Sequence, residues 1–492
     1  RLLLAAMGVK AGSEAEAAQA LDRIKAEDAA RLLPVWQVVE LDRAEKINAL
    51  AGQDWVVDLE DGTHLAGQGA TLPRLPLGIH WLRAGGSDCA LLCAPATLPL
   101  PPQCWGVTMP LYGLRGAADA GIGTYSDLAV ALEGCASAGA AFAGINPIHA
   151  GFPTDPMAFS PYSPSSRRWL DVTHIDAGVT GQGGDELVDY TALAPAHRAA
   201  LKALWAKGAP DGLDDWIAAQ GADLHRFALH QALSEELGSY WTDWPEAYRD
   251  PASDAVADFA RANPDAVRFH AWLQWLAQTQ LEQVRDAGAG MALGLYLDLA
   301  VGIHPAGADT WADPELYARG VSLGAPPDAF SLDGQAWNLA PLRPDELARR
   351  GFEPLAEVLR AQFRFARLLR IDHILGFERA FWVPEGRAAP GAYVQMPKEA
   401  LLAVARIEAT RVGGTVVGED LGNIPEGLHA DLDRSGLLGC RVAMFEQFWD
   451  PGPPRFKPAW RYDSLTLTSF ATHDLPTWEG WKAGRDLDWR AD

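Results

Sequence analysis

Cysteine is scarce in this chain and cation-forming side chains fall well short of acidic ones. The five cysteines are Cys89, Cys93, Cys104, Cys135 and Cys440. Their number is odd, none forms a C-x-x-C pair, and no histidine stands at a spacing typical of zinc, which excludes a disulfide scaffold and a zinc ribbon. Reduced core thiols are expected. Lys and Arg total 41 against 64 Asp and Glu, a formal charge of -23. An acidic surface gains nothing from nucleic acid or an anionic membrane, so neither is expected as a partner. No stretch approaches about 18 uninterrupted apolar residues, the length that a membrane span needs. The N-terminus reads as an Ala-rich charged helix instead of a signal peptide, which points to the cytoplasm. Internal repeats and low-complexity segments are missing too.

What is present is a set of three acids, each ending a short apolar run: Asp372 in LLRIDH, Glu419 in TVVGED and Asp474 in TSFATHD. Each reads as a buried strand delivering a carboxyl to its C-terminal tip, where parallel α/β barrels place their chemistry. A single acid after a strand is commonly a helix N-cap or a surface charge. Three such acids, two of them flanked by Arg or His, suit glycoside chemistry, which needs one carboxylate as nucleophile and one protonated carboxyl for the leaving oxygen. A third acid orients substrate hydroxyls as positive charge develops, and Asp474 fits that role. Arg370, two residues before Asp372, faces the same side of a strand and can hold that carboxylate ionised. Glu419 sits behind Val416, Val417 and Gly418, a setting expected to desolvate it and raise its pKa. His373 and His473 adjoin two of the acids and could donate to sugar hydroxyls.

The organisation around these acids suggests an α/β fold of the (β/α)8 TIM-barrel type with two additions. Residues 13 to 32 read as an exposed helix capped by Ser13, within an N-terminal helical segment 1–33. Residues 34–103 then carry short extended runs (VWQVVEL, DWVVDLE, GIHWLRA, CALLCAP) broken by Gly, Asp and Pro, the pattern of a small β-sandwich-like domain. Barrel character starts at 104 and runs to 492, interrupted at 150–289 by a Trp-rich, mainly helical subdomain. Trp272 and Trp275, three apart on one helix, are expected in the core. Strands resume at 291–298, 366–372, 414–419, 439–446 and 466–473, which with the first two makes seven. Only 18 residues follow Asp474, fewer than the roughly 30 of one βα unit. The expectation is a barrel truncated before its eighth strand.

Six ordered motifs carry a resemblance from about Trp105 to the end: SPYSPSSRRWLDV (160–172), LDLAVGIHP (297–305), GAPPDAFSLDGQAW (324–337), LRIDHILG (369–376), GEDLGNIPEGL (418–428) and ATHDLPT (471–477). The chain resembles the 4-α-glucanotransferases called amylomaltases or disproportionating enzymes, of the α-amylase superfamily, in the bacterial form with an N-terminal extension. That resemblance implies Asp372 as nucleophile, Glu419 as acid/base and Asp474 as transition-state stabiliser. It implies substrate contacts from Arg370, His473, Asp298, Tyr162, Trp337 and Asp328, the last in a loop, Gly324 to Ser331, that arches over the glucan. Relatives often carry Gly after that tryptophan, where this chain has Asn338. The implied reaction is retaining transfer between α-1,4-glucans and maltooligosaccharides through a glycosyl-enzyme, with no cofactor. An α-amylase-class hydrolase is the nearest alternative, since it shares the acids, and a non-catalytic glucan-binding protein is a more distant one that would have no need of them.

Overall fold

The computed structural model describes residues 1–181, 187–327, 331–386, 391–448, 452–453, 455–473 and 475–491, with residues 489–491 described by backbone alone. The strands that matter for function are short, apolar and covered on both faces. Gly294–Leu299 and Thr415–Gly418 are buried at every position, the mark of a parallel sheet sandwiched by helices. Five strands pair in parallel and in chain order: Gly106–Thr108, Phe142–Gly144, Gly294–Leu299, Leu368–Ile371 and Thr415–Gly418. A parallel bridge from Val417 to Leu438 continues the series into Gly439–Val442, which pairs in parallel with Thr466–Ser469. Seven parallel strands therefore follow one another, and no ladder joins the first to the last among the described residues.

These strands end earlier than their apolar runs suggest. The reading of 439–446 as strand shortens to Gly439–Val442, and 466–473 to Thr466–Ser469. Hydrophobicity persists into the loop beyond each strand, so composition alone overshoots.

The covering helices have clear local causes. Tyr125–Ser137 opens with a capping box between Thr124 and Asp127, satisfying two orphan N–H groups. Lys398–Val412 stops at Gly413, whose φ of 62° is the left-handed turn that favours glycine. Between residues 150 and 289 lie the helices Tyr190–Trp205, Leu213–Leu237, Asp254–Ala262 and Pro264–Ala287. Trp272 is buried in the main core and Trp275 is half-buried against it.

Ahead of the barrel, Ser13 accepts a hydrogen bond from Glu16 N and caps the helix Glu14–Ala30. A five-stranded sheet follows in the order Trp36–Glu40, Ser87–Ala94, Gly78–Ala84, Asp54–Asp58, His64–Gln68, with a two-stranded ribbon of Glu45–Lys46 and Thr71–Leu72. It encloses its own apolar cluster around Leu50, Val57, Leu82 and Leu91. Glu60 ties this sheet to the barrel helices, with its carboxylate 2.6 Å from Arg411 and 3.4 Å from Arg360. Both arginines also hold the buried Glu408.

Sequence reading missed a four-stranded antiparallel sheet: Gln335–Ala336, Val321–Ala325, Arg379–Pro384 and Ala392–Gln395. The first two residues of the expected loop, Gly324 and Ala325, belong to this sheet and pair with Ala336 and Gln335. All five cysteines are unpaired. Cys89, Cys93 and Cys440 are buried, whereas Cys104 is exposed and Cys135 half-buried, so a core position fits three of them. Among the described residues no helix is long and apolar enough to cross a membrane.

Candidate active site

Strand register brings the first ion pair together. Asp298 lies opposite Arg370 on the neighbouring strand, and Arg370 precedes Asp372 by two positions, so all three reach the C-terminal ends of adjacent strands on one side. Arg370 Nη1 donates to both oxygens of Asp298, at 2.7 and 2.9 Å, while its Nη2 stands 2.8 Å from Asp372 Oδ1. Such charge-assisted contacts from one planar fork fix both position and orientation. Tyr162 donates its hydroxyl to Asp298 Oδ2 at 2.9 Å. Burial pushes the Asp298 carboxyl up, against the pull of the Arg370 guanidinium. Burial works against the Arg370 charge too, but Asp298 and Asp372 outweigh it and hold that group firmly protonated.

Glu419 follows the next strand, and its backbone N–H donates to Ile371 O at 3.0 Å. Its side chain is almost fully enclosed, and burial is the main reason that its pKa rises to about 7. The Arg370 charge pulls the other way, Asp372 pushes upward, and two backbone donors lower it: Leu421 N to Oε1 at 2.8 Å and His373 N to Oε2 at 2.9 Å. The His373 contact depends on an unusual backbone, since His373 has φ 50°. From that left-handed position its N–H reaches the Glu419 carboxyl while Ile374 N donates to the Glu419 carbonyl. One turn thus grips Glu419 at both ends. Burial lowers the His373 pKa, opposed by Asp372. Its ring meets Trp337 edge-on, with centroids 5.1 Å apart.

Tyr162 stacks on His473, centroids 4.0 Å apart and planes 17° from parallel. This contact brings the loop holding Tyr162 against the residue that precedes Asp474. Asp474 itself and Asp328 lie outside the described residues. Arg370, Asp298, Asp372, Glu419, Tyr162, His473 and Trp337 form one connected set. Asn338, which follows Trp337, has φ 56°. Glycine is at ease there, and asparagine is among the few side-chain-bearing residues that tolerate it.

One member was not singled out from sequence. Asp420 is 2% exposed and accepts from Cys440 N at 2.7 Å and from Arg441 Nη1 at 3.0 and 3.2 Å. His429 Nε2 stands 3.0 Å away. A Cβ on Gly439 would come within 2.7 Å of Asp420 Oδ2, so the bare backbone makes room for this carboxylate. Asp420 pins the strand end that carries Glu419 to the next strand. The second acid of GED was the available signal, but its partner Arg441 is 21 residues away. Together these groups offer one carboxylate paired with a cation and, beside it, a carboxyl held near neutrality, the two halves of an acid/base and nucleophile pair.

Comparison with known proteins agrees with this arrangement. Residues 109–491 match the profile of the 4-alpha-glucanotransferase family. The 4-alpha-glucanotransferase of Mycobacterium tuberculosis (strain H37Rv) is 38% identical over 471 residues, covering 86% of this chain and 65% of the relative. That of Haemophilus influenzae is 32% identical over 479 residues, covering 85% and 67%. The chain thus spans about two thirds of the length of the curated relatives that it matches. Amylomaltase from Corynebacterium glutamicum superposes with a TM-score of 0.84 at 26% identity, covering 99% of this chain and 77% of that one. Amylomaltase from Streptococcus agalactiae, in complex with acarbose, gives 0.69 at 22% identity over 79% and 83%, a likeness of fold. The mixed α/β architecture is of this amylomaltase type, and the chain belongs to the 4-alpha-glucanotransferase family.

Proposed function

We propose that the protein transfers α-1,4-linked glucan segments between maltooligosaccharides or starch-like glucans by retaining double displacement. One observation carries this reading: Arg370 pairs with Asp372 while burial holds Glu419 near pKa 7 in the same cluster. In the first step an Asp372 oxygen attacks the anomeric carbon and the glycosidic C–O bond breaks. Glu419 gives its proton to the departing oxygen, leaving a glycosyl-enzyme ester and a Glu419 carboxylate. In the second step the 4-hydroxyl of another glucan loses its proton to Glu419 and displaces Asp372, restoring both groups. A Glu419 pKa near neutrality suits both directions of proton transfer.

The remaining roles follow from position. Asp298, Arg370 and Tyr162 form a hydrogen-bonded floor for the sugar whose anomeric carbon reacts. His473 is held flat on Tyr162 to meet a hydroxyl, and Trp337 provides an apolar face for a ring. Asp474 as transition-state stabiliser and Asp328 as a substrate contact rest on the family resemblance alone. Residues 34–103 are proposed as a separate N-terminal domain after the helical segment 1–33, and 150–289 as a subdomain inserted in the barrel region 104–492. Five unpaired cysteines suit a reducing compartment such as the cytoplasm.

Trapping tests the covalent step. An activated donor such as maltotriosyl fluoride has a leaving group that needs no protonation, so Glu419→Gln should form the ester and then stall for want of a base. Mass spectrometry of a digest should find the sugar on Asp372. An adduct on another residue, or none, rejects Asp372 as nucleophile.

A further inference from the structure

Past Leu299 the strand that carries Asp298 leaves its ladder with Leu368–Ile371, so the backbone of Ala300 and Val301 has to find partners elsewhere. Two buried side chains supply them. His149 Nε2 accepts from Ala300 N at 3.2 Å, while Arg167 Nη1 donates to Ala300 O at 2.9 Å and to Val301 O at 3.1 Å. His149 is 1% exposed and Arg167 5%. They come from the two strands of one antiparallel ribbon, His149–Ala150 and Ser166–Leu170. We propose that His149 and Arg167 are positioning residues of the catalytic centre: by clamping Ala300 they hold Asp298 and Asp372 in the places that Arg370 bridges. The proposal rests on the reading of the reaction given above, and on its nucleophile in particular.

The clamp sits next to the groups that it positions. Asp298 precedes Ala300 by two residues, and Asp372 N donates to Leu299 O at 3.0 Å, so the residue beside the clamp carries the backbone of the nucleophile. Tyr162, whose hydroxyl donates to Asp298, opens the segment that leads to Arg167. That segment grips the same loop twice more, since His304 N donates to Pro164 O and Ala308 N to Ser165 Oγ, both at 2.8 Å. A shift at Ala300 would therefore carry Asp298 and the hydrogen bond under Asp372 with it.

Packing alone does not account for these two residues. The Arg167 guanidinium forms no ion pair among the described residues, and its Nε is buried without a hydrogen-bond partner there. Burial of a cation on such terms is costly. An aliphatic side chain of similar length would fill the space at less cost, but it could not bond two successive carbonyls beyond a strand end. His149 supplies the complementary acceptor. Because its Nε2 accepts from Ala300 N, the ring has to be neutral with its proton on Nδ1. Burial, helped by the Arg167 charge, pulls its pKa down to about 3, so the acceptor persists at neutral pH. Arg167 thus shares the grip and keeps its partner in the gripping state.

The burst of fluoride released from maltotriosyl fluoride reads the attack of Asp372 without calling on Glu419 as acid or on any acceptor. In His149→Leu and Arg167→Met, assayed well below their melting temperatures, the burst rate should fall about 100-fold, the effect of misplacement by about 1 Å, while the half-saturating donor concentration stays within about threefold of the parent. His149→Gln returns an amide oxygen at the same reach and should recover most of the rate. Leu132→Ala, a deletion at a buried position of the helix Tyr125–Ser137, should melt earlier than the parent and keep its burst rate. Should Arg167→Met fail to fold, His149→Leu decides alone. A rate within about twofold of the parent in His149→Leu overturns the clamp, as does a glutamine no better than leucine, an equal loss in Leu132→Ala, or a loss confined to the half-saturating concentration. A parent that gives the burst but no product longer than its donor sinks the transferase reading and leaves the clamp standing. A parent without a burst sinks both.

Discussion

The Arg370 guanidinium stands 2.8 Å from Asp372 Oδ1, and the two residues are separated by a single position on one strand end. The same guanidinium grips Asp298 on the next strand through its other nitrogen. One cation therefore neutralises part of a cluster of two acids, and its loss would leave both carboxylates enclosed and facing each other.

Arg370→Leu should accordingly destabilise the fold by about 3–5 kcal/mol, the usual cost of orphaning a buried charge. Arg370→Lys keeps the charge and loses the fork, so stability should be spared more than activity, which should fall on the order of 100-fold through misplacement of Asp372. Denaturant melts alongside transfer rates separate the two effects. Equal stability in all three proteins would contradict the assignment.

Glu419 links pH to both rate and stability. Its pKa rises from 4.5 to about 7 on folding, so kcat/KM for the first step should decline above about pH 7 as the general acid loses its proton. The folded state prefers the protonated form. The stabilising contribution is therefore complete below pH 4.5 and is lost as pH rises through 7, to the extent of about 3 kcal/mol. Glu419→Gln cannot ionise, so it should be more stable than the parent at pH 8 and lose that advantage at pH 4. Thermal melts at the two pH values check the sign, and an advantage confined to pH 4 would contradict it.

Legibility in the sequence was uneven, for physical reasons. Asp372 and Glu419 announce themselves because three apolar runs in one chain end in an acid, a repetition that single caps or surface charges do not explain, and desolvation of Glu419 by Val416 and Val417 follows directly. The bond between Arg370 and Asp298 was hidden, because the register of two parallel strands 72 positions apart is a tertiary fact. The strand His64–Gln68 escaped notice since its residues alternate between exposed and half-buried, leaving no strong apolar signal. The pairing of Val321–Ala325 with Arg379–Pro384 was missed for the reason that hid Asp420: the two partners are far apart in sequence.

Asn338 provides a backbone test. At φ 56° a β-branched side chain clashes with its own carbonyl, so Asn338→Val should cost about 1–2 kcal/mol, whereas Asn338→Gly should stay within about 0.5 kcal/mol of the parent. Urea midpoints measure both. A neutral valine would show that the turn relaxes.

Asp420→Ala removes a buried acceptor shared by Cys440 N and Arg441. Arg441 keeps Asp463 at 2.6 Å, so the loss should sit near the low end for a broken buried pair, about 3 kcal/mol. Because Asp420 is bonded to Glu419 through the backbone, activity should fall by more than stability accounts for at temperatures where the variant remains folded. Full activity in a folded variant would confine Asp420 to scaffolding.

The central claim is transfer, and product length reads it directly. The protein incubated with maltotriose, beside Asp372→Asn as a blank, should yield free glucose and a ladder of maltodextrins longer than the substrate, absent from the blank. Products no longer than maltotriose would mean that water wins the second step and the protein is a hydrolase, and a ladder that persists in Asp372→Asn would contradict the assigned nucleophile.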